Sequence, residues 1–99
     1  MSHWFSVRLL YKNTVGSARD TDLVREESIR VFMADEEADA VEKANALGKH
    51  GEHEYANDAG ELVRWIFVRV LEIQDLCEAE LSDGTEVYSR LYRGADDEE

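Results

Sequence analysis

Residues 62–73, Leu-Val-Arg-Trp-Ile-Phe-Val-Arg-Val-Leu-Glu-Ile, decide the fold of this chain. The run is rich in β-branched and aromatic residues, which favour a strand over a helix. Residues 57–60, Asn-Asp-Ala-Gly, come just before it and are typical of a turn. The sequence therefore predicts one long strand that is entered through a hairpin.

Alternation along this strand places apolar side chains on both faces of the sheet. We expect one face to carry Val63, Trp65, Phe67, Leu71 and Ile73, with Arg69 as its single polar member. The other face is expected to carry Leu62, Ile66, Val68 and Val70. A sheet with one solvated face would show polar residues on one side, so both faces here require cover.

The remaining elements follow from period and turn signals. Residues 4–11 and 26–33 alternate with period two and predict two antiparallel strands, joined by a polar loop over residues 12–24. Helical spacing over residues 35–48 predicts a helix with Asp35 as its N-cap and with Gly48 or Gly51 at its end. A short strand over residues 52–56 is expected next. The Asp83-Gly84 turn signal then predicts a last strand over residues 85–92.

This order, β-β-α-β-β-β, predicts an α+β domain with a mostly antiparallel sheet and one main helix packed on one face. We expect a single compact domain over residues 1–93 and a flexible acidic tail over residues 94–99. A helix of about 14 residues spans only about 21 Å and cannot cover both faces of such a sheet. Homodimerisation through the uncovered face is therefore expected.

Charge and composition narrow the classes of partner. The chain of 99 residues has a formal net charge of -12 and only 11 Lys and Arg residues, which opposes binding to nucleic acid or to an anionic membrane. A basic protein surface is the electrostatically favoured partner. Cys77 is the single cysteine, so we expect no internal disulfide and a reducing, cytoplasmic location. No segment has the roughly 20 apolar residues that span a bilayer.

The strongest candidate site is the set Glu86, Tyr88 and Arg90, which alternate positions place on one face of the predicted last strand. The set could form a cross-strand charge network with Arg64 or Arg69, bind a polar ligand, or perform acid–base chemistry. We favour the structural or interfacial interpretation. Residues 50–54, His-Gly-Glu-His-Glu, invite a metal interpretation, but the glycine disrupts a helical His pair and no further ligand cluster exists. We expect no metal and no cofactor.

Residues 52–55 (Glu-His-Glu-Tyr), 63–65 (Val-Arg-Trp) and 83–90 (Asp-Gly-Thr-Glu-Val-Tyr-Ser-Arg) resemble the small bacterial family catalogued as domain of unknown function 4288. Residues 4–7 (Trp-Phe-Ser-Val) and 26–29 (Glu-Glu-Ser-Ile) are similar to the opening of that family. The resemblance covers nearly the whole chain. It implies one compact domain and supplies no catalytic residues.

Two functional hypotheses follow. The first is a non-enzymatic protein-interaction module that self-associates through its sheet and turns an acidic surface toward a basic partner. The alternative is a small-ligand binder or minor enzyme built around Glu86, Tyr88 and Arg90. Nucleophile elbows and glycine-rich phosphate loops are absent from the sequence, so we expect no enzyme.

Overall fold

The computed structural model describes residues 1–16 and 24–94. These residues form a single four-stranded antiparallel sheet, in the order β2-β1-β4-β3, and one helix. In chain order the elements are β1 (His3–Val15), β2 (Arg25–Ala34), α1 (Glu37–His50), β3 (His53–Ala56) and β4 (Leu62–Asp75). The predicted α+β class with one helix is confirmed.

The core lies between α1 and the central strand β1. Alternate side chains of β1 point toward the helix and are buried, and they are Phe5, Val7, Leu9 and Tyr11. The helix meets them with its smallest residues, because Ala40, Ala44 and Gly48 are its buried positions. Small side chains allow the helix axis to lie close to the sheet, which explains how one short helix buries a row of large β1 residues.

The start of the helix differs from the prediction, whereas its end agrees with Gly51, one of the two predicted glycines. Asp35 does not cap the helix, because its carboxylate accepts a hydrogen bond from Ser2 Oγ at 2.6 Å. Glu36 is the N-cap residue and makes no side-chain cap bond. The helix continues past Gly48 to His50, and Gly51 is its C-cap in a right-handed conformation, with φ -81°. A Cβ atom on Gly51 would lie 2.6 Å from the Tyr11 hydroxyl oxygen, so close approach explains this glycine.

Two irregularities in β4 overturn the predicted assignment of its faces. The β1–β4 register shifts twice and leaves Val68 and Leu71 as extra residues in β4, which is the pattern of β-bulges. Each extra residue reverses the alternation that follows it. Val70 therefore packs against the core beneath α1. Arg69 lies opposite Leu10 on the other face, so the expected faces of Arg69 and Val70 were wrong.

The predicted last strand is also absent. Gly84 has φ 86° and the Thr85 N–H donates to the Ser82 carbonyl at 3.1 Å, so a turn forms where the sequence placed it. Residues 85–92 nevertheless pair with no strand, and residues 76–94 contain neither helix nor strand. Most of the predicted loop and of the predicted tail, residues 17–23 and 95–99, lies outside the described residues.

Candidate functional site

The sheet face turned away from α1, called the open face below, combines polar and apolar side chains. The strand register places on it Ser6, Arg8 and Leu10 from β1, Ile29 and Val31 from β2, and Ile66, Glu72 and Gln74 from β4. The sequence predicted an apolar surface. That prediction was wrong at the centre of the face, where charged side chains occupy the row around Arg8.

Four side chains form the Arg8 cluster, which consists of Arg8, Glu27, Glu72 and Tyr88. The guanidinium Nη1 lies 2.7 Å from Glu27 Oε1, and Nη2 lies 2.8 Å from Glu72 Oε1. The Tyr88 ring covers the group, with its centroid 5.5 Å from Cζ, a favourable cation–π distance. The hydrogen bond to Glu27 raises the pKa of Arg8 against an opposing contribution from burial, and the bond to Glu72 raises it further.

One atom of this cluster is unsatisfied. Arg8 Nε is buried and has no hydrogen-bond partner among the described residues. The side chain as a whole is 23% exposed, so the open end of the guanidinium still reaches solvent. The cluster therefore ties β1 to β2 and β4, while its chemistry is that of a fixed cation between two carboxylates.

The C-terminal part of the chain returns across the open face. It leaves β4 beside Trp4, whose carbonyl accepts from the Leu76 N–H at 2.9 Å and whose N–H donates to the Glu78 carbonyl at 2.8 Å. Residues 87–89, called the crossing segment below, then share a cavity with β2 and contact β1 and β4 in turn. Val87 lines a cavity with Ile29 of β2, Tyr88 lies over β1, and the Ser89 carbonyl accepts from Gln74 of β4 at 2.9 Å.

Cover by the crossing segment is incomplete. Ser6 lies on the open face yet is only 2% exposed, because it pairs with Gln74, whose side chain holds the crossing segment. Toward the other end of the face, Leu62 and Val68 are each 41% exposed. Beyond the crossing segment Leu91 is 98% exposed and Tyr92 is 71% exposed. The open face is thus half covered and flanked by exposed apolar side chains.

The structure separates the four residues that the sequence singled out. Arg64 Nε lies 3.3 Å from Glu54 Oε2 between β3 and β4. Tyr88 belongs to the Arg8 cluster, and the Arg90 guanidinium lies over the Tyr92 ring at 5.2 Å. Glu86 is exposed. Because residues 85–92 do not form a strand, the alternation that was to place Glu86, Tyr88 and Arg90 on one face does not apply.

Residues 50–54 join α1 to β3. His50 ends the helix and His53 begins β3, so the two rings belong to different elements. Glu52 Oε2 accepts the Phe67 backbone N–H at 3.0 Å, and His53 Nδ1 lies 3.1 Å from the Gly51 carbonyl. Within residues 1–16 and 24–94, no three His, Cys, Asp or Glu side chains lie close enough together to hold a metal ion.

A second polar corner lies where β1 begins and β4 ends. Asp75 Oδ2 lies 3.0 Å from His3 Nε2, and Asp75 Oδ1 accepts the Cys77 N–H at 2.8 Å. These contacts hold the pKa of Asp75 below its usual value, with the Cys77 N–H as the main cause. The negative carboxylate in turn raises the pKa of the exposed Cys77 thiol. The thiol stays protonated near neutral pH, which argues against a nucleophile.

Comparison with known protein families shows the family to which this chain belongs. The model of the family described as "Domain of unknown function (DUF4288)" matches residues 4–89. The chain belongs to this family. The match runs from β1 to the crossing segment and so includes every element of the DUF4288 fold described above. Comparisons with curated proteins and with solved structures gave no significant match.

Sequence reasoning missed Arg8, Glu27 and Glu72 as a group. Arg8 is positively charged, Glu27 and Glu72 are negatively charged, and all three lie in predicted strands, which was the available signal. Their meeting depends on the register of three strands, however, and register is not visible in the residues themselves.

In the described part of this DUF4288 chain, no helix has the length and apolar character needed to cross a bilayer.

Proposed function

We propose that this DUF4288 protein is a non-enzymatic interaction module that self-associates through its sheet. The supporting observation is the apolar surface that the described residues leave uncovered: Leu62 and Val68 on the open face are each 41% exposed, and Leu91 beyond the crossing segment is 98% exposed. Exposed apolar side chains gathered on one surface are typical of an association site.

The uncovered part of the open face is the surface that association would remove from water. A standard interface buries about 800 Å² on each partner. The uncovered half of the open face supplies apolar anchors in Leu62 and Val68, each 41% exposed. A second copy packed on this half would remove those side chains from water.

The proposal includes a second, basic partner. The net charge of -12 creates a negative field around the protein, and α1 presents Glu37, Asp39 and Glu42 to solvent. Polylysine is a suitable probe of this surface and polyglutamate is its control. Polylysine should bind with an association rate that falls steeply as salt rises, because screening shortens the range of the attraction. An association rate for polylysine that does not change with salt concentration would contradict the proposed electrostatic attraction to a basic partner.

Sedimentation velocity over a range of protein concentrations tests self-association. We expect the weight-average mass to rise from monomer to dimer as concentration increases, and the matched variants Leu62→Lys and Val68→Lys to shift that rise to higher concentration. A chain that remains monomeric at millimolar concentration would contradict the proposal.

The cellular setting is part of the proposal too. A single cysteine supports a reducing cytoplasm, and the family resemblance supports a bacterial source. For the alternative, a small-ligand binder or minor enzyme, no supporting geometry exists in the described residues, because Glu86, Tyr88 and Arg90 do not share one strand face.

A further inference from the structure

Residues 85–92, Thr-Glu-Val-Tyr-Ser-Arg-Leu-Tyr, combine strand-forming chemistry with a backbone that is hydrogen-bonded only at the Thr85 N–H and the Ser89 carbonyl among the described residues. They form no strand. Among the described residues, no backbone N–H from Glu86 to Arg93 donates to a protein acceptor. Leu91 and Tyr92 are the most exposed large apolar side chains of this segment. The segment has the properties of a strand without a partner.

The sheet offers a matching edge. Among the described residues, β2 is the outermost strand on its side and pairs only with β1, over ten residues. Its outward backbone groups are therefore a template for one more strand. Ile29, at the middle of β2, is 43% exposed, so the side-chain positions along this edge are accessible.

We propose that residues 85–92 of one copy add as an antiparallel fifth strand to β2 of a second copy, in a reciprocal exchange that forms a dimer. This inference rests on the proposed function, because it adds an exchanged strand at the β2 edge to the packing of two copies through the open face. One register satisfies the charges of both strands. It places Glu86 opposite Arg30, Arg90 opposite Glu26, and Val87 opposite Ile29.

The register is distinctive. A shift of two residues in either direction keeps the faces but loses both ion pairs, since Glu86 then meets Ser28 or Phe32. A parallel arrangement with Arg90 opposite Arg30 brings like charges together at both positions, because Glu86 then lies opposite Glu26. The antiparallel register with Glu86 opposite Arg30 therefore forms two ion pairs, and each of these three alternatives forms neither of them.

The added strand replaces contacts that the segment makes within its own chain. In the described chain, Val87 shares a cavity with β2 while Tyr88 and Ser89 contact β1 and β4 in turn, so the segment runs across the strands. Adding the segment to any β2 edge releases the contacts of Tyr88 with Arg8 and of Ser89 with Gln74. In a reciprocal dimer, strand pairing at two β2 edges replaces these contacts in both copies.

Charge reversal tests the register directly. Glu86→Arg and Arg30→Glu should each weaken the dimer about tenfold, because each places like charges opposite one another twice in a reciprocal dimer. The double variant reverses the pair, keeps the net charge of the native chain, and should restore the dimer affinity to within about threefold. Asp58→Arg, in the turn before β4, makes the same charge change as Glu86→Arg and should leave affinity unchanged.

The readouts are the dimer dissociation constant from sedimentation and far-UV circular dichroism, which checks that each variant keeps its fold. A dimer that ignores both reversals, or that the double variant fails to restore, overturns this inference while self-association stands. Reversals that alter the stability of a monomer but no dimer affinity show pairing within one chain and also overturn it. A native chain that never dimerises overturns the proposed function together with this inference.

Discussion

The substitution Gly48→Ala tests how closely α1 lies against β4. Gly48 is buried in the last turn of the helix, facing the sheet. A Cβ atom added there would lie 2.6 Å from Cδ1 and Cε1 of the Phe67 ring and 2.8 Å from its Cγ. These distances are shorter than carbon atoms tolerate without bonding, so either the ring or the helix must move.

Two opposing effects set the magnitude. Replacing a helical glycine by alanine favours folding by about 1 kcal/mol through helix propensity. Forcing an extra methyl group into a close-packed contact costs about 1–3 kcal/mol. The free energy of unfolding should therefore fall by about 1 kcal/mol in Gly48→Ala, which corresponds to a fall of about 4–8 °C in Tm.

Urea unfolding of the native chain, of Gly48→Ala, of Phe67→Leu and of the double variant separates the two effects. In a Phe67→Leu background the ring is gone, so the added Gly48→Ala should stabilise the protein through propensity alone. Ala46→Gly, at an exposed helix position, is the matched control and should cost about 1 kcal/mol. A Gly48→Ala variant about 1 kcal/mol more stable than the native chain would refute the contact with Phe67.

Three further predictions concern polar contacts. Tyr11→Phe removes the buried hydrogen bond from the Tyr11 hydroxyl to a helix carbonyl at 2.8 Å and should lower the free energy of unfolding by about 1 kcal/mol in urea titrations. Burial raises the pKa of Tyr11, so the native chain should lose stability as pH rises above about 10, more steeply than this variant. The pKa of Asp75 is lowered, so its contribution is present at neutral pH and lost as pH falls below about 4; Asp75→Asn should flatten the acid side of a Tm-against-pH curve, and an unchanged curve would contradict the contacts. Arg8→Met should lower Tm more than Glu27→Gln, because Glu72 still holds the guanidinium in the second variant, and equal effects would count against a shared cluster.

Hydrophobic period predicted most of the sheet and the helix. β1, β2 and β4 carry long alternating or β-branched runs, and such local signals survive in almost any context. The boundaries moved by a few residues where side chains act at a distance. Asp35, for example, is a good cap by composition, yet Ser2 from the start of the chain binds its carboxylate.

The errors have a common physical origin in pairing between distant segments. The turn at Asp83-Gly84 forms because its chemistry is local, whereas residues 85–92 would need a neighbouring edge to become a strand. The faces of Arg69 and Val70 depend on how β4 aligns with β1, and no residue in β4 marks the two extra positions. The Arg8 cluster was missed for the same reason, since three strands must be aligned before its members meet.

The first extra residue of β4, Val68, reverses the alternation of its side chains, and the second, Leu71, restores it. Residues before Val68 and after Leu71 follow one phase of in-and-out alternation, and only the two residues between them follow the opposite phase. Deleting either extra residue alone would leave every other side chain of β4 on its present face, because the residues that remain keep their partners on β1. Each deletion should therefore straighten the strand without exchanging its buried and exposed sides, and deleting both should give an unbulged strand with the same arrangement of side chains.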